Sequence, residues 1–337
     1  MVRPGARNLI TDVAGLNVGH AEDRRVATGV TALIADASAA AVCDIRGGAP
    51  GTRDVAALDA AALVGQVDAI VLAGGSAFGL DASAGVTQVL RAQGRGFRIA
   101  PSAPPVPIVP AAILFDLANG GDKNWGGETP YRLLGAEAAR AASADFALGT
   151  VGAGFGAVSG RLKGGIGSVS AVTAEGIALG ALVAANAVGS AVIPGTDAFW
   201  AFPFEQNEEF GGRRPTAVGP VPLDLPTDMK IPRAGENTTI AIVATDAALD
   251  RAELARIAVM AADGFARALR PVHTPFDGDL VFALSTAKQA LKGMRQHEVL
   301  RLGSIAADCI ARAIARGIYE ATSFGSVKSY RDTFQRG

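Results

Sequence analysis

A layered α/β fold is predicted for this chain of 337 residues, and three features carry that prediction. Short apolar runs alternate with helical patterns, which is the signature of helices packed on a sheet. Strand-like runs stand on both sides of one long irregular segment, so both sides feed the same sheet system. The apolar content, 49% of residues, comes from small side chains: aromatics make up only 6%, and there are 42 glycines. Small residues suit tight packing of helices on sheets and backbone that lies close to a ligand.

In chain order, "GVTALIAD" (29–36), "AAAVCDI" (39–45) and "DAIVLAGG" (68–75) read as buried strands bounded by Gly or Asp. "RDVAALDAAALVGQ" (53–66) and "LDASAGVTQVLRAQG" (80–94) read as helices. Prolines 104, 105, 107 and 110 forbid a helix at the start of "SAPPVPIVPAAILFDL" (102–117), leaving an extended wall that enters a short strand at Ile113–Leu117. A helix follows over 128–143, with Pro130 near its start. The glycine-dense tract 148–170 leads to strands up to about Ile193. Residues 203–235 are polar, rich in Pro and Gly and without periodicity; so long a loop in a compact domain is uncommon and expected to be functional or mobile. Next come a strand (239–245), an amphipathic helix (249–270) with Leu254, Ile257, Ala261, Phe265 and Leu269 on one face, a strand (279–286), and helix over 287–321 with candidate breaks at Gly293 and Gly303. The part after 238 has too few strands for an independent domain, so 1–337 is expected to be one domain.

Composition narrows the function. With 31 basic and 32 acidic residues and no basic stripe, nucleic acid is not an expected partner. The apolar stretch 176–195 approaches membrane-spanning length, but its glycines and Asn186 fit buried strands better, so no membrane association is expected. No signal peptide is recognisable in "MVRPGARNLITD", so a cytoplasmic location is expected, Asn237-Thr238-Thr239 is not read as a glycosylation site, and Cys43 and Cys309 read as small core residues. His20, His273 and His297 have no metal-ligand spacing, and neither a metal nor a cofactor is expected. A Gly-x-Ser-x-Gly elbow and a P-loop are absent, and the turn "AGGSAFGLDASAG" (73–85) is explained more simply by strand-to-helix packing than by a dinucleotide.

That leaves "AGENTTIAIVATD" (234–246), where a loop turns into a β-branched run. The simple reading is a turn and a strand start. The functional reading is cleavage between Asn237 and Thr238. An internal threonine hydroxyl is a poor nucleophile, but cleavage frees an α-amine of pKa about 7.7–8.0 beside it. That amine can act as general base for its own hydroxyl.

"NLITDVAGLNVGH", "DIRGGAPGTRD", "VLAGGSAFGLDASAGV", "VPAAILFDL" and "NTTIAIVATDA" together resemble the P1 peptidase family of L-aminopeptidase/D-esterases, β-peptidyl aminopeptidases and endo-type 6-aminohexanoate (nylon) oligomer hydrolases. The resemblance runs from Asn8 to about Thr286. It implies a four-layer αββα sandwich, N-terminal-nucleophile-hydrolase-like with its own connectivity. It also implies self-cleavage into residues 1–237 and 238–337, and a homotetramer of processed protomers. Thr rather than Ser at the cut, followed by "TTI", resembles the nylon-oligomer hydrolases. By the same resemblance Asp277 and Asp279 match two catalytic aspartates, Lys163 in "GRLKGG" matches the family lysine, and Asn186 in "VAANAVGS" matches the oxyanion asparagine. Phe115 stands where the family carries a tyrosine, which removes a hydroxyl from the pocket; Phe115 and Tyr131 are the candidate substrate contacts.

The residues themselves agree with these roles. Asp277 and Asp279, two apart, point the same way if extended and can orient an ammonium and relay protons. Asn186 in an apolar run must find partners if buried. The reading is therefore an autoprocessed threonine hydrolase acting on peptide or other small amide substrates. The alternatives are an aminopeptidase/D-esterase that requires a free substrate amine, acyl transfer like that of ornithine acetyltransferase, and a ligand-binding protein without covalent chemistry.

Overall fold

The computed structural model describes residues 1–59, 61–216, 219, 224–230 and 237–334; within the irregular segment 203–235, residues 217–218, 220–223 and 231–235 lie outside the described residues. The strands in chain order are β1 (Leu16–Asp23), β2 (Thr28–Ile45), β3 (Thr52–Arg53), β4 (Gln66–Ala73), β5 (Ala111–Ile113), β6 (Val158–Ser159), β7 (Leu162–Lys163), β8 (Gly165–Val172), β9 (Ala178–Asn186), β10 (Thr238–Ala247) and β11 (Leu280–Gln289). The α-helices are α1 (Ala82–Ala92), α2 (Tyr131–Arg140), α3 (Arg251–Ala268), α4 (Arg295–Glu320) and α5 (Tyr330–Phe334).

Nine strands form one sheet, eight of them along the hydrogen-bonded path β3-β5-β4-β2-β11-β10-β9-β8 and the ninth, β1, paired to β2; β6 and β7 make a separate hairpin. Alternation along the strands sorts their side chains into three cores. Leu33 of β2, Ile70 and Leu72 of β4, Leu182 of β9, Ile240 and Ile242 of β10 and Phe282 of β11 meet in a central core. Val30 and Ala32 of β2 and Val71 of β4 face outward to Val86, Leu90 and Leu134 of α1 and α2. On the far side, Val169, Leu179, Ala181, Val243 and Val281 face Ile257, Phe265, Ile310 and Ile314 of α3 and α4. The result is the expected α-β-β-α order of layers. Its two β layers are joined through the 18-residue β2 into one continuous sheet.

That joint corrects the expectation of separate strands at 29–36 and 39–45. The register shifts between Ile34 and Ala39, but the chain stays extended. The Asp36 N–H donates to Gly15 O and the Ser38 hydroxyl to Asp68, so the polar residues that suggested a turn are satisfied within the strand. The helix expected over 53–66 is replaced by β3 and a single 3₁₀ turn, Val55–Leu58. Of this alanine-rich run only Leu58 among the described residues is buried, so a helix would have no apolar face to pack. The Arg251 guanidinium instead takes the carbonyls of Leu58, Asp59 and Ala62.

The helix expected from 287 begins at Arg295, because β11 runs on to Gln289; Gly303 does not break it but makes room for the Met260 sulfur, 2.4 Å from where a Cβ would stand. The short strand before the site is Ala111–Ile113 rather than Ile113–Leu117, because Asp116 turns inward to Thr28 and Gly75. The α3 helix forms where expected, opened by a reciprocal cap between Asp250 and Glu253. It is the crossover that makes β10 and β11 parallel. No helix among the described residues is long and apolar enough to cross a membrane.

Glycine sets the distance between α4 and the sheet. A Cβ on Gly167 would stand 1.8 Å from the Ala313 carbonyl oxygen and 2.7 Å from the Gly317 nitrogen. Gly167→Ala is therefore expected to push α4 off β8 and to destabilise by about 1–3 kcal/mol. A lowered urea midpoint at unchanged slope is the measurement that checks it.

Candidate active site

Three adjacent strands bring their ends together. β9 is antiparallel to β10 and β11 is parallel to it, so the end of β9 and the starts of β10 and β11 share one edge of the sheet. Asn186, last in β9, pairs in register with Thr238, first in β10. Asn237 bridges to Asp277, and Asp277-Gly278-Asp279 leads into β11. Asn186, Asn237, Thr238, Asp277 and Asp279, far apart in sequence, thus converge; all are buried, Thr238 at 2% exposure.

The Thr238 hydroxyl donates to the carbonyl oxygen of Asn237. The Gly278 N–H donates to the same oxygen at 2.9 Å. Both side-chain polar atoms of Asn237 are buried without a partner among the described residues. Gly278 lies so near that a Cβ there would be 2.7 Å from Thr238 Oγ1. The "RGGAPG" loop packs on the same strap: the Ala49 N–H donates to Asp277 O at 2.9 Å and the Gly47 N–H to Asp279 O at 3.0 Å.

Each carboxylate is held by neighbouring donors. Asp279 Oδ1 accepts the Thr239 N–H at 2.7 Å, and Oδ2 accepts the His273 N–H at 3.1 Å with His273 Nδ1 at 2.9 Å. Asp277 accepts the Thr274 N–H at 3.0 Å, the Thr274 hydroxyl at 2.6 Å and the Val188 N–H at 3.3 Å. Burial, and then the charge of Asp279, push the Asp277 carboxyl above the usual range.

Lys163 is buried near Asn186 and makes no salt bridge among the described residues. Its ammonium donates to the carbonyls of Gly154, Ala157 and Gly164 at 2.8–2.9 Å. Lys163 pairs with Val158 across the β6–β7 hairpin, and the Val158 N–H donates to Asn186 Oδ1 at 2.9 Å. The lysine therefore reaches the site through Asn186, by holding the backbone turn that orients its amide. Burial lowers the Lys163 pKa from 10.5 to about 7, opposed by the charge of Asp116. The other end of Asn186 donates from Nδ2 to the Phe115 carbonyl at 3.3 Å, which places half-buried Phe115 beside the site. Tyr131 lies further out, in the core under α1 and α2, where its ring meets Gly75 and stands 6.1 Å from Trp125.

Four residues with roles here escaped the sequence reading: Asp116, His273, Thr274 and Gly278. "HTPFDGD" carried a usable signal, since a His and a Thr just before two acids can supply donors to both. Among the described residues no group of three or more His, Cys, Asp or Glu side chains is placed to hold a metal ion.

The layers and this convergence place the chain among known folds and families as follows. In fold, the chain matches an L-aminopeptidase D-Ala-esterase/amidase from Ochrobactrum anthropi, described as a prototype for the serine aminopeptidases and a variant of the Ntn hydrolase fold. The TM-score is 0.68 at 18% identity, over 96% of this chain and 89% of the other. Peptidase family S58 matches residues 8–331, and the chain belongs to that family. An uncharacterized aminopeptidase of Mycobacterium tuberculosis is 41% identical over 97% of this chain and 98% of its own. A 6-aminohexanoate-oligomer endohydrolase of Kocuria sp. stands further off, at 29% identity over 92% and 86%.

Two predictions follow from the charges. The unfolded chain holds the Lys163 proton up to about 10.5 and the folded chain only to about 7. Between these values the unfolded state binds more protons, so stability from this group rises with pH, by at most about 1.4 kcal/mol per unit. Urea unfolding at pH 7 and pH 10 is expected to show that rise in Thr238→Ala protein and to lose it when Lys163→Met is added. His273 carries a left-handed φ of 54°. His273→Asn keeps a side-chain donor and tolerates that backbone, so it is expected to retain more peptide-amide turnover than His273→Ala, which frees Asp279 and loses about tenfold to 10²-fold.

Proposed function

We propose that the chain is a self-processing amide hydrolase whose nucleophile is Thr238. The observation that carries this reading is the Thr238 hydroxyl lying against the Asn237 carbonyl, at a buried junction lined by Asn186, Asp277 and Asp279. Thr238 Oγ attacks the Asn237 carbonyl carbon, the C–N bond breaks, and the acyl group passes to oxygen as an ester. Water hydrolyses the ester, leaving Asn237 as a carboxylate and Thr238 as a free N-terminus. Its amine then serves as base for the same hydroxyl in turnover of external amides. Asp279 anchors the Thr239 amide and so fixes the nucleophile's backbone. Asn186, held by Val158, is the side-chain donor on the opposite strand.

Membership in a peptidase family and the aminopeptidase and oligomer-hydrolase names of the relatives support a peptide or related amide as substrate. The 6-aminohexanoate-oligomer endohydrolase name of one relative favours an internal amide as the bond cut. The mycobacterial relative's aminopeptidase name favours the second reading, cleavage next to a free amine. Comparing free and N-acetylated versions of one peptide separates the two.

Because β10 is paired on both sides, the pieces 1–237 and 238–337 should stay in one particle after the cut. Purified protein is expected to give two polypeptides by intact mass, and Thr238→Ala a single full-length chain without turnover. A Thr238→Ala protein that still splits at 237/238 overturns the assignment.

A further inference from the structure

We infer that the backbone N–H of Gly278 is an oxyanion donor for self-cleavage. The inference rests on Thr238 being the nucleophile at the Asn237 carbonyl.

In the uncut chain the scissile oxygen accepts two hydrogen bonds, one from the Thr238 hydroxyl and one from Gly278 at 2.9 Å. Only one of them can persist through the reaction. As Thr238 Oγ turns to bond the carbonyl carbon, its hydrogen bond to the oxygen is lost. The C=O electron pair moves onto that oxygen, and the Gly278 N–H remains in place to meet the growing charge. When the intermediate collapses the C=O re-forms and the C–N bond breaks. The Thr238 nitrogen takes up the proton that the hydroxyl gives up, so no outside acid or base is consumed. The 2.9 Å separation is the distance such a donor needs, and a backbone amide fixed by neighbouring structure does not have to reorganise as charge develops.

The position of Gly278 is fixed from three sides. The preceding Asp277 bridges to Asn237 and is held by Thr274 and Val188. The following Asp279 is tied to Thr239 and His273. The loop at Ala49 covers the outer side, with its carbonyl oxygen 2.8 Å from where a Cβ would stand. The acids flanking Gly278 thereby aim its amide as well as serving the nucleophile. This accounts for a glycine between them, since any side chain would press on Thr238 Oγ1 and displace it. After processing, the same N–H faces the place where the acyl oxygen of an external amide must sit, because that acyl group bonds to the same Oγ.

The test removes the N–H without adding a side chain. Glycolic acid placed at position 278 by tRNA suppression turns the amide into an ester without adding a side chain. The purified precursor is expected to cleave itself about 10²–10³ times more slowly than the unaltered protein. Its processed fraction should show a reduced kcat with KM little changed. Cleavage at the unaltered rate overturns the inference. A second measurement leaves position 278 intact: in isotope-labelled Thr238→Ala protein, a scalar coupling across the hydrogen bond should join the Gly278 nitrogen to the Asn237 carbonyl carbon. Absence of that coupling also overturns it. Failure of the underlying reading looks different, because Thr238→Ala protein would then be found cleaved.

Discussion

The pairing of β10 between β9 and β11 is the constraint on which the site depends. It sets Asn186 opposite Thr238 and delivers the Asp277–Asp279 strap to the same sheet edge. The register cannot slip, because β10 is buried on both faces: Ile240 and Ile242 enter the central core, and Ala241 and Val243 face α3 and α4. A shift of one residue would exchange the two faces, driving β-branched side chains into space shaped for alanine. The placement of a single hydroxyl is therefore secured by the packing of all four layers.

Around that hydroxyl, charge is divided between two places with Asn186 between them. On one side, Asp277 and Asp279 are held by hydrogen bonds from backbone N–H groups, Thr274 and His273. On the other, Lys163 spends its donors on three carbonyls, and Asp116 spends its oxygens on Thr28 and Gly75. Buried charges persist only when hydrogen-bonded in this way. On the proposed reading, a lysine–carboxylate pair beside Thr238 would compete with the freed α-amine for the acids, and Lys163 lies behind Asn186 instead.

The starts of β10 and β11 were legible because a β-branched run meets Asn, Asp or Gly there, and those polar ends hold Thr238 and the two aspartates; the strand holding Asn186 was read on to about Ile193, whereas β9 ends at Asn186. Lys163 was legible only through resemblance, and its position behind Asn186 was not, since that depends on a hairpin turn with no periodicity. Gly278 and His273 were hidden for a different reason: one acts through a backbone N–H, the other through a partner six residues on, and neither leaves a pattern in residue type. In the fold, the misread stretch 53–66 shows the limit of alanine propensity, because a helix forms only where it has an apolar face to bury. The long β2 shows the converse, as polar Asp36 and Ser38 were satisfied across the sheet and the chain ran straight on.

The continuous sheet also explains how one covalent bond can be expendable. Asn237 is held from its own side by the bridge to Asp277 and the Gly278 amide, while Thr238 is held by β9 and β11. Cutting between them would sever the chain but no strand pairing, and the three cores would keep residues from both sides of the cut in contact. Asn237 is the exception to this security, since its side-chain amide is buried with no protein partner among the described residues. An unsatisfied buried amide costs about 1–3 kcal/mol. On the proposed reading, this unsatisfied amide belongs to the residue whose carbonyl Thr238 attacks.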